Sequence, residues 1–315
     1  PPPPPPPPPV PGMSAVVHRI RGGRPGRWRE ALVGYGFILA PMGIFAVFFL
    51  FPIGYAIYIS RYNWGVYGSE GSVGWHNYGW ALHDPLFWRA MRNIGEFTAW
   101  VVPAQMAIGL FMAVIVNQKI KARPFFRSAF YFPSIASSAA ITTIAIFILN
   151  ADGLLNKLLG YVGYHHHTAW FYETKTALPS IAGLNAWTTS GTMMLFYLAS
   201  LQAIPNDVYE AAAIDGAGRW RTFWKITFPL LKPGHFFVLV ISIIGAMKLY
   251  DQAFIVSRST GGPDYATLTP VLYLVQQVVN NFRLGFAAAV GVILLVFLMS
   301  LTLIQRLLFG RSEAG

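Results

Sequence analysis

Six long apolar segments constrain the fold of this chain more than any other feature. They cover residues 32–59, 97–116, 129–149, 181–201, 235–256 and 286–308. A helix needs about 20 apolar residues to cross the hydrocarbon core of a bilayer, where it satisfies its own backbone hydrogen bonds. We therefore expect an all-α, polytopic membrane protein whose transmembrane domain, residues 31–312, is a bundle of six helices.

Composition supports this class and excludes several others. Charged residues make up 11% of the chain and hydrophobic residues 55%, whereas a soluble domain carries roughly 25% charged residues. The chain has no cysteine, which excludes disulfides, Cys-ligated metals and thiol nucleophiles. It also lacks a glycine-rich phosphate loop, an H-E-x-x-H motif and a nucleophile triad. We expect no catalytic residues, no metal site and no cofactor on this chain.

Residues 1–30 are expected to form an N-terminal cytoplasmic segment. Residues 1–12 are proline-rich and can only form an extended stretch without a core, so they are interpreted as disordered or non-native. Five arginines follow, at Arg19, Arg21, Arg24, Arg27 and Arg29. A stretch this basic, without an apolar centre, does not resemble a cleavable signal peptide.

The net charge of +11 is best explained by membrane orientation. Six spans place both termini on one side, and the segments on that side carry roughly twice as many lysines and arginines as those opposite. The positive-inside rule therefore places both termini, the second loop and the fourth loop in the cytoplasm. The excess of basic residues needs no nucleic-acid partner.

The fourth loop, residues 205–233, is the strongest functional candidate and is called the E-A-A loop below. Acidic residues precede an alanine run, which favours a helix whose N-terminus is stabilised by negative charge. Gly216 permits a sharp turn, and apolar residues then recur at helical spacing until Pro229 and Pro233. The pattern predicts two short helices with a bend. An amphipathic loop that simply lies on the membrane surface is the alternative.

The spacing in this loop resembles a family signature. Glu210-Ala211-Ala212 is followed by three residues, Gly216, nine residues and Ile226-Thr227-Phe228-Pro229. This is similar to E-A-A-x3-G-x9-I-x-L-P, the signature of the integral-membrane subunits of binding-protein-dependent ABC importers, with Phe228 in place of leucine. The stretches 127–133 and 261–263 resemble other parts of the maltose/glycerol-phosphate permease type, whose fold is the six-helix, type I importer bundle.

The resemblance implies a permease subunit, not an enzyme, in a prokaryotic plasma (inner) membrane. Its implied partners are a second permease subunit, two ATP-binding subunits that hold ATP and Mg, and an extracytoplasmic solute-binding protein. The solute would be a carbohydrate, polyol or sugar phosphate, moved into the cell by alternating access. By the same resemblance, five residues of the E-A-A loop face the ATPase: Glu210, Ala211, Ala212, Asp215 and Gly216.

Polar residues within the spans are candidates for the substrate path, because isolated charges in a bilayer are costly. Lys248 and Asp251 are three residues apart, so on one helix they share a face and can neutralise each other. Contact with substrate is the second interpretation, since Tyr250 and Gln252 adjoin them and polar ligands need such groups.

Two further polar clusters have a structural and a functional interpretation. Asn185 and Trp187 lie among small hydroxyl residues in the fourth span, which either pack helices together or, for these two, contact a sugar. The tract His165–His167 could suggest a metal, but adjacent histidines do not match the spacing of metal sites.

A self-contained, ion-coupled secondary transporter is the alternative function. In that case the E-A-A loop would be structural, and Lys248 and Asp251 would couple the ion. Such carriers usually show two related halves, and the sequence has no convincing internal repeat.

Overall fold

The computed structural model describes residues 27–118 and 121–309. The proline run at 1–12 and most of the predicted N-terminal segment 1–30 lie outside the described residues. The chain divides after Tyr55 into two units.

The first unit is a single helical segment. Helix α1, Arg27–Phe45, continues through a π-helical turn, Ala46–Leu50, into α2, Phe51–Ile59, which runs past the end of the unit. Residues 31–55 are all exposed within the chain, and the apolar stretch Ala31–Ile59 is long enough to cross a membrane. So large an apolar surface requires lipid or another protein around it.

The second unit contains a hairpin and the remaining helices. In chain order they are β1 Tyr62–Gly65, β2 Gly68–Ser72, α3 His76–His83, α4 Pro85–Asn117, α5 Arg123–Ile135, α6 Ser138–Ile148, α7 Leu154–Gly160, α8 Ala177–Gln202, α9 Asn206–Ile214, α10 Arg219–Thr222, α11 Phe228–Leu230, α12 Lys232–Met247, α13 Asp251–Ser257, α14 Pro270–Val279 and α15 Leu284–Phe309. A π-helical turn, Phe223–Thr227, joins α10 to α11.

The hairpin is a departure from the all-α expectation. Strands β1 and β2 pair antiparallel, with Tyr62 opposite Ser72. Gly68 and Gly71 have φ of 109° and 139°, a conformation that suits glycine. The hairpin lies against α15, because a Cβ on Gly285 would fall 2.1 Å from the Tyr62 carbonyl oxygen. Glycine at this position allows the two backbones to meet.

Among the described residues, four of the six predicted spans correspond to helical stretches that are long and apolar enough to cross a membrane, one of them with a short break inside it. Their bounds are Ala31–Ile59, Pro85–Asn117, Lys232–Ser257 and Leu284–Leu307. The second begins twelve residues earlier than the apolar run predicted, since α4 starts at Pro85 with Asp84 as its N-cap.

The third predicted span is wrong as a single helix. Residues 129–149 fall on α5 and α6, which are bent by 91° at a short break. Ala136 and Ser137 have extended backbone there. Just before the break, α5 packs closely against α8: Ser134 donates to the Thr188 carbonyl at 2.6 Å, and a Cβ on Gly191 would lie 2.5 Å from the Phe130 carbonyl oxygen. These contacts hold α5 against α8, and the chain changes direction after them.

The fourth predicted span is helix α8. At 26 residues it is long enough to cross a bilayer. Because of the polar residues in its middle, it is not among the helices that are apolar enough to count as membrane spans. Within residues 27–118 and 121–309, counting the bent pair as one span gives up to five. A total of six stays a prediction.

Helices α4 and α8 form the centre of the second unit. They meet at Gly109, where a Cβ would lie 2.7 Å from the Cβ of Met193. One hydrophobic cluster surrounds Phe97 and Ile181, and a second surrounds Met194 and Tyr197. The E-A-A loop leaves α8 and returns at α12 beside this second cluster.

Candidate functional site

The E-A-A loop has the bent, two-helix structure that its sequence predicts. Helix α9 ends in a hydrogen-bond pattern that closes a helix C-terminus: Ala217 N–H donates to the Ala212 carbonyl at 2.9 Å, and Gly216 N–H to that of Ala213 at 3.1 Å. Gly216 has φ of 70°, which a residue with a Cβ adopts only at a cost. Gly216 therefore sets the direction in which the second limb, residues 219–230, leaves α9.

Four of the five residues predicted to face a partner are exposed: Glu210, Ala211, Asp215 and Gly216. Ala212 differs from the other four, because it is only 5% exposed and packs within its own chain; its contact with a partner stays a prediction. Two residues further along, at the end of α9, the Ile214 side chain is 87% exposed. An isoleucine beside the bend was a signal that the sequence interpretation missed.

Side-chain contacts connect the two limbs of the loop to the helices around it. The Thr227 hydroxyl donates to the Tyr209 hydroxyl at 3.4 Å. The His235 ring lies 3.2 Å from the Phe228 carbonyl oxygen, and Gly234 lets α12 approach α8, since a Cβ there would meet Ser200 Oγ at 2.5 Å. Movement of the loop would therefore displace the first turn of α12.

A polar cluster of Gln105, Asn185, Thr189 and Gln252 joins three helices further along the bundle. The Thr189 hydroxyl donates to the Gln105 side-chain oxygen at 2.6 Å. The Asn185 side-chain amide donates to the Gln252 side-chain oxygen at 3.0 Å. Gln105 and Gln252 are 2% and 4% exposed. Gln105 was not predicted, although a glutamine inside an apolar run is a visible signal. The cluster holds α4, α8 and α13 in one arrangement.

The fifth predicted span is interrupted between α12 and α13. Lys248 caps the end of α12, and Tyr250, with φ of −136° and ψ of −62°, precedes α13. The Thr269 hydroxyl satisfies the Leu249 carbonyl at 2.8 Å. Irregular backbone inside a bilayer occurs where it is buried in protein or lines a cavity, so this break is a candidate for the substrate path.

The break bears on the two interpretations of Lys248 and Asp251, which are pairing with each other and contact with substrate. The two residues do not lie on one continuous helix, and the ion pairs found within residues 27–118 and 121–309 do not include them. Both side chains are exposed, Tyr250 is half-buried and Gln252 is buried. Lys248 and Asp251 are therefore each available for another partner.

Trp187 lies apart from the polar cluster. It follows Asn185 by two residues, which places it on the other side of α8, and it is 50% exposed. It lines a cleft of about 500 Å³ with Trp170, Lys175 and Ser180. The structure thus divides the predicted substrate residues between a buried network and an open cleft.

The histidine tract shows no arrangement of metal ligands. His167 Nδ1 lies 3.4 Å from an Asp152 carboxylate oxygen. Within the part of the chain that the structure describes, three or more His, Cys, Asp or Glu side chains do not converge on a point.

Comparison with known proteins identifies the family to which this chain belongs. Residues 105–313 match the family described as the binding-protein-dependent transport system inner membrane component. The chain belongs to this family. The matched region contains the E-A-A loop, the polar cluster and the broken span, so the features described above lie within the family's shared domain.

Individual relatives extend the match beyond that region. The permease is 34% identical to the probable ABC transporter permease protein YesP of Bacillus subtilis, over 88% of this chain and 90% of that one. It is also 34% identical to the arabinooligosaccharides transport system permease protein AraP of the same organism, over 84% and 85%. These matches identify the chain as an ABC transporter permease and a multi-pass membrane protein.

A solved structure confirms the fold. A chain of a bacterial alginate ABC transporter, crystallised with an alginate pentasaccharide-bound periplasmic protein, superposes with a TM-score of 0.76 at 19% identity. The match covers 88% of this permease and 94% of that chain. The importer-permease fold predicted from the sequence is therefore confirmed.

Proposed function

We propose that this permease imports a carbohydrate, and that it works with a second permease subunit, two ATP-binding subunits and a solute-binding protein outside the cell. The observation that carries the proposal is the exposed, bent E-A-A loop next to spans that contain polar residues. The relative AraP, named for arabinooligosaccharide transport, supports a sugar or related polyol or sugar phosphate as the solute.

In this proposal the loop transmits movement from the ATPase. Glu210, Ala211, Asp215 and Gly216 are exposed together with Ile214, so a groove on the ATP-binding subunit can receive a small apolar tip flanked by carboxylates. Ala212 acts differently, by anchoring α9 to the bundle. ATP and Mg bind the partner subunits, and closure of that dimer pushes on the loop.

The connection from the loop to the substrate path runs through α12. His235 and Gly234 hold its first turn against the loop and α8, and the same span breaks at Lys248–Tyr250 beside Gln252. Transporters often place their sites at such broken helices, around which rigid segments rock between two orientations. We infer that Tyr250 contacts the sugar at this break, where Lys248 and Asp251 offer a donor and an acceptor, and that Trp187 contacts it with its exposed aromatic face in the cleft on the other side of α8.

The membrane placement follows the charge distribution. Both termini and the E-A-A loop lie in the cytoplasm of a prokaryotic cell, and the α7 region with the histidine tract lies outside, in reach of the binding protein.

One reconstitution tests the proposal. The permease is co-purified with its partner subunits, placed in proteoliposomes with the binding protein, and assayed for ATP hydrolysis and uptake of a panel of oligosaccharides. We expect one class of sugar to stimulate hydrolysis and to accumulate with ATP. Uptake by the permease alone, driven by an ion gradient, would instead establish the secondary transporter.

A further inference from the structure

A long apolar groove lies between α4 and the second limb of the E-A-A loop. Its volume is about 810 Å³, and its walls come from residues 102–114 of α4, residues 220–228 of the loop and the start of α12. Tyr197 and His235 are polar groups in the lining, and their side chains lie 3.0 Å from each other. The groove therefore offers an almost entirely apolar surface to an occupant.

An aromatic strip borders the groove on the loop side. Trp220 and Trp224 stack with ring centroids 6.3 Å apart and planes 6° from parallel, and Phe228 lies 5.3 Å beyond Trp224. The two tryptophans are 75% and 54% exposed. Exposed tryptophans of membrane proteins concentrate at the level of the lipid headgroups, which places the mouth of the groove at the membrane surface.

The same limb carries a concentrated positive charge. Arg219, Arg221, Lys225 and Lys232 are exposed, and no acidic residue occurs between Gly216 and Tyr250. The ion pairs found among the described residues do not involve these four. Basic clusters at the end of a membrane span attract anionic lipid headgroups.

The length of the groove indicates what kind of molecule can occupy it. From Val102 to Val114 the wall rises about 18 Å along α4, a length that suits an extended acyl chain. An occupant must be apolar over this length. Arg221 and Lys225 are exposed on the limb that forms the loop wall, next in sequence to the lining residues Trp220 and Trp224, so their charge favours an occupant that also carries a negative group. We propose that the groove binds an anionic phospholipid, with an acyl chain along α4 and the headgroup phosphate beside these two residues.

The assignment goes beyond the proposed transport function and is independent of the solute. It requires that α4 and α12 cross a bilayer, and that the loop lies at one membrane surface. Such a lipid would contact both the loop and the first turn of α12, the two parts that His235 connects.

Photo-crosslinking from the groove tests this proposal. The photoreactive residue p-benzoylphenylalanine replaces Phe111, which lines the groove and is 66% exposed. The intact transporter complex is placed in nanodiscs of phosphatidylcholine with an equal share of phosphatidylglycerol, irradiated and analysed by mass spectrometry. We expect adducts of phosphatidylglycerol to exceed those of phosphatidylcholine about fivefold or more.

Charge variants separate headgroup recognition from general contact with lipid. R221Q/K225Q should reduce the preference for phosphatidylglycerol at least roughly fivefold. K121Q/R123Q removes two basic residues, one just before α5 and one at its first position, that are not among the groove lining residues, and it should leave the preference unchanged. If R221Q/K225Q does not assemble, a salt titration of the unaltered complex serves instead, because ionic strength screens an exposed headgroup contact.

Two outcomes would overturn the proposal. A crosslink from position 111 to a different subunit would mean that this subunit fills the groove. Equal labelling by both lipids, insensitive to salt and to R221Q/K225Q, would mean that the groove contacts bulk lipid without recognising a headgroup. Neither readout depends on solute uptake, so a failure here is distinct from a failure of the transport proposal.

Discussion

His235 Nδ1 lies 3.0 Å from the hydroxyl oxygen of Tyr197, a contact that joins the first turn of α12 to the core of α8. The other ring nitrogen lies 3.2 Å from the Phe228 carbonyl oxygen, and the Phe228 ring is 4.5 Å away. One side chain thus connects the E-A-A loop to two membrane helices.

Loss of this connection should weaken both stability and coupling. His235→Ala removes two hydrogen bonds, each contributing about 0.5–1.5 kcal/mol, so we expect a lower thermal midpoint of the complex and reduced sugar-stimulated ATP hydrolysis. Tyr197→Phe removes one of the bonds and should show about half the effect. His83→Ala, at an exposed histidine of α3, is the control. Normal coupling in His235→Ala would refute the connecting role.

Gly216 should resist replacement for conformational reasons alone. A Cβ there meets nothing within 4 Å, but φ of 70° costs a non-glycine residue about 1–2 kcal/mol. We expect Gly216→Ala to impair coupled uptake, and Gly216→Asn to impair it less because asparagine tolerates this conformation. The matched control is Gly218→Ala, which has equally open surroundings and φ of −69°. If Gly216→Ala and Gly218→Ala showed the same coupled uptake, the bend at Gly216 would not be needed for coupling.

Gly191 should be required for packing. In Gly191→Ala the new Cβ would lie 2.5 Å from the Phe130 carbonyl oxygen, so α5 must shift, at a cost of about 1–3 kcal/mol. Gly183→Ala on the same helix meets nothing within 4 Å and should be neutral or up to about 1 kcal/mol more stable, from helix propensity. Thermal unfolding of the complex measures the difference, and equal midpoints would contradict the close crossing of α5 over α8.

The Asn185–Gln252 hydrogen bond should contribute to stability. Asn185→Ala leaves the buried Gln252 oxygen without this donor, which costs about 1–3 kcal/mol. A double-mutant cycle with Gln252→Ala should give a coupling energy near 0.6 kcal/mol, about the average for hydrogen bonds between membrane helices. Strict additivity of the two variants would show that the contact is not stabilising.

Trp187 should affect transport without affecting stability. Its side chain is half-exposed in an open cleft, so Trp187→Ala should reduce sugar uptake severalfold while the free energy of unfolding changes by less than about 0.5 kcal/mol. Trp187→Phe, which keeps an aromatic face, should retain much of the uptake. Trp100→Ala, at a comparably exposed tryptophan of α4, is the control, and an equal loss of uptake in it would argue against a sugar contact at Trp187.

The amino-acid sequence alone determined the class of protein, most of the helices and the structure of the E-A-A loop. These follow from local properties: apolar length fixes which segments enter a bilayer, and a glycine after an alanine-rich helix fixes the bend at Gly216. The resemblance of the spacing around Glu210 to a family signature implied the importer-permease fold.

Only the tertiary structure decided which residues meet. The 91° bend between α5 and α6 arises where Ser134 and Gly191 bring α5 across α8, and neither residue shows this in its own sequence neighbourhood. At the break at Lys248–Tyr250, the Leu249 carbonyl accepts a hydrogen bond from Thr269, which belongs to another part of the chain. Gln105 joins Thr189, 84 residues away, and Ala212 turns inward while Ile214 turns outward. Periodicity gives the faces of a helix, but the neighbours that cover those faces come from distant segments.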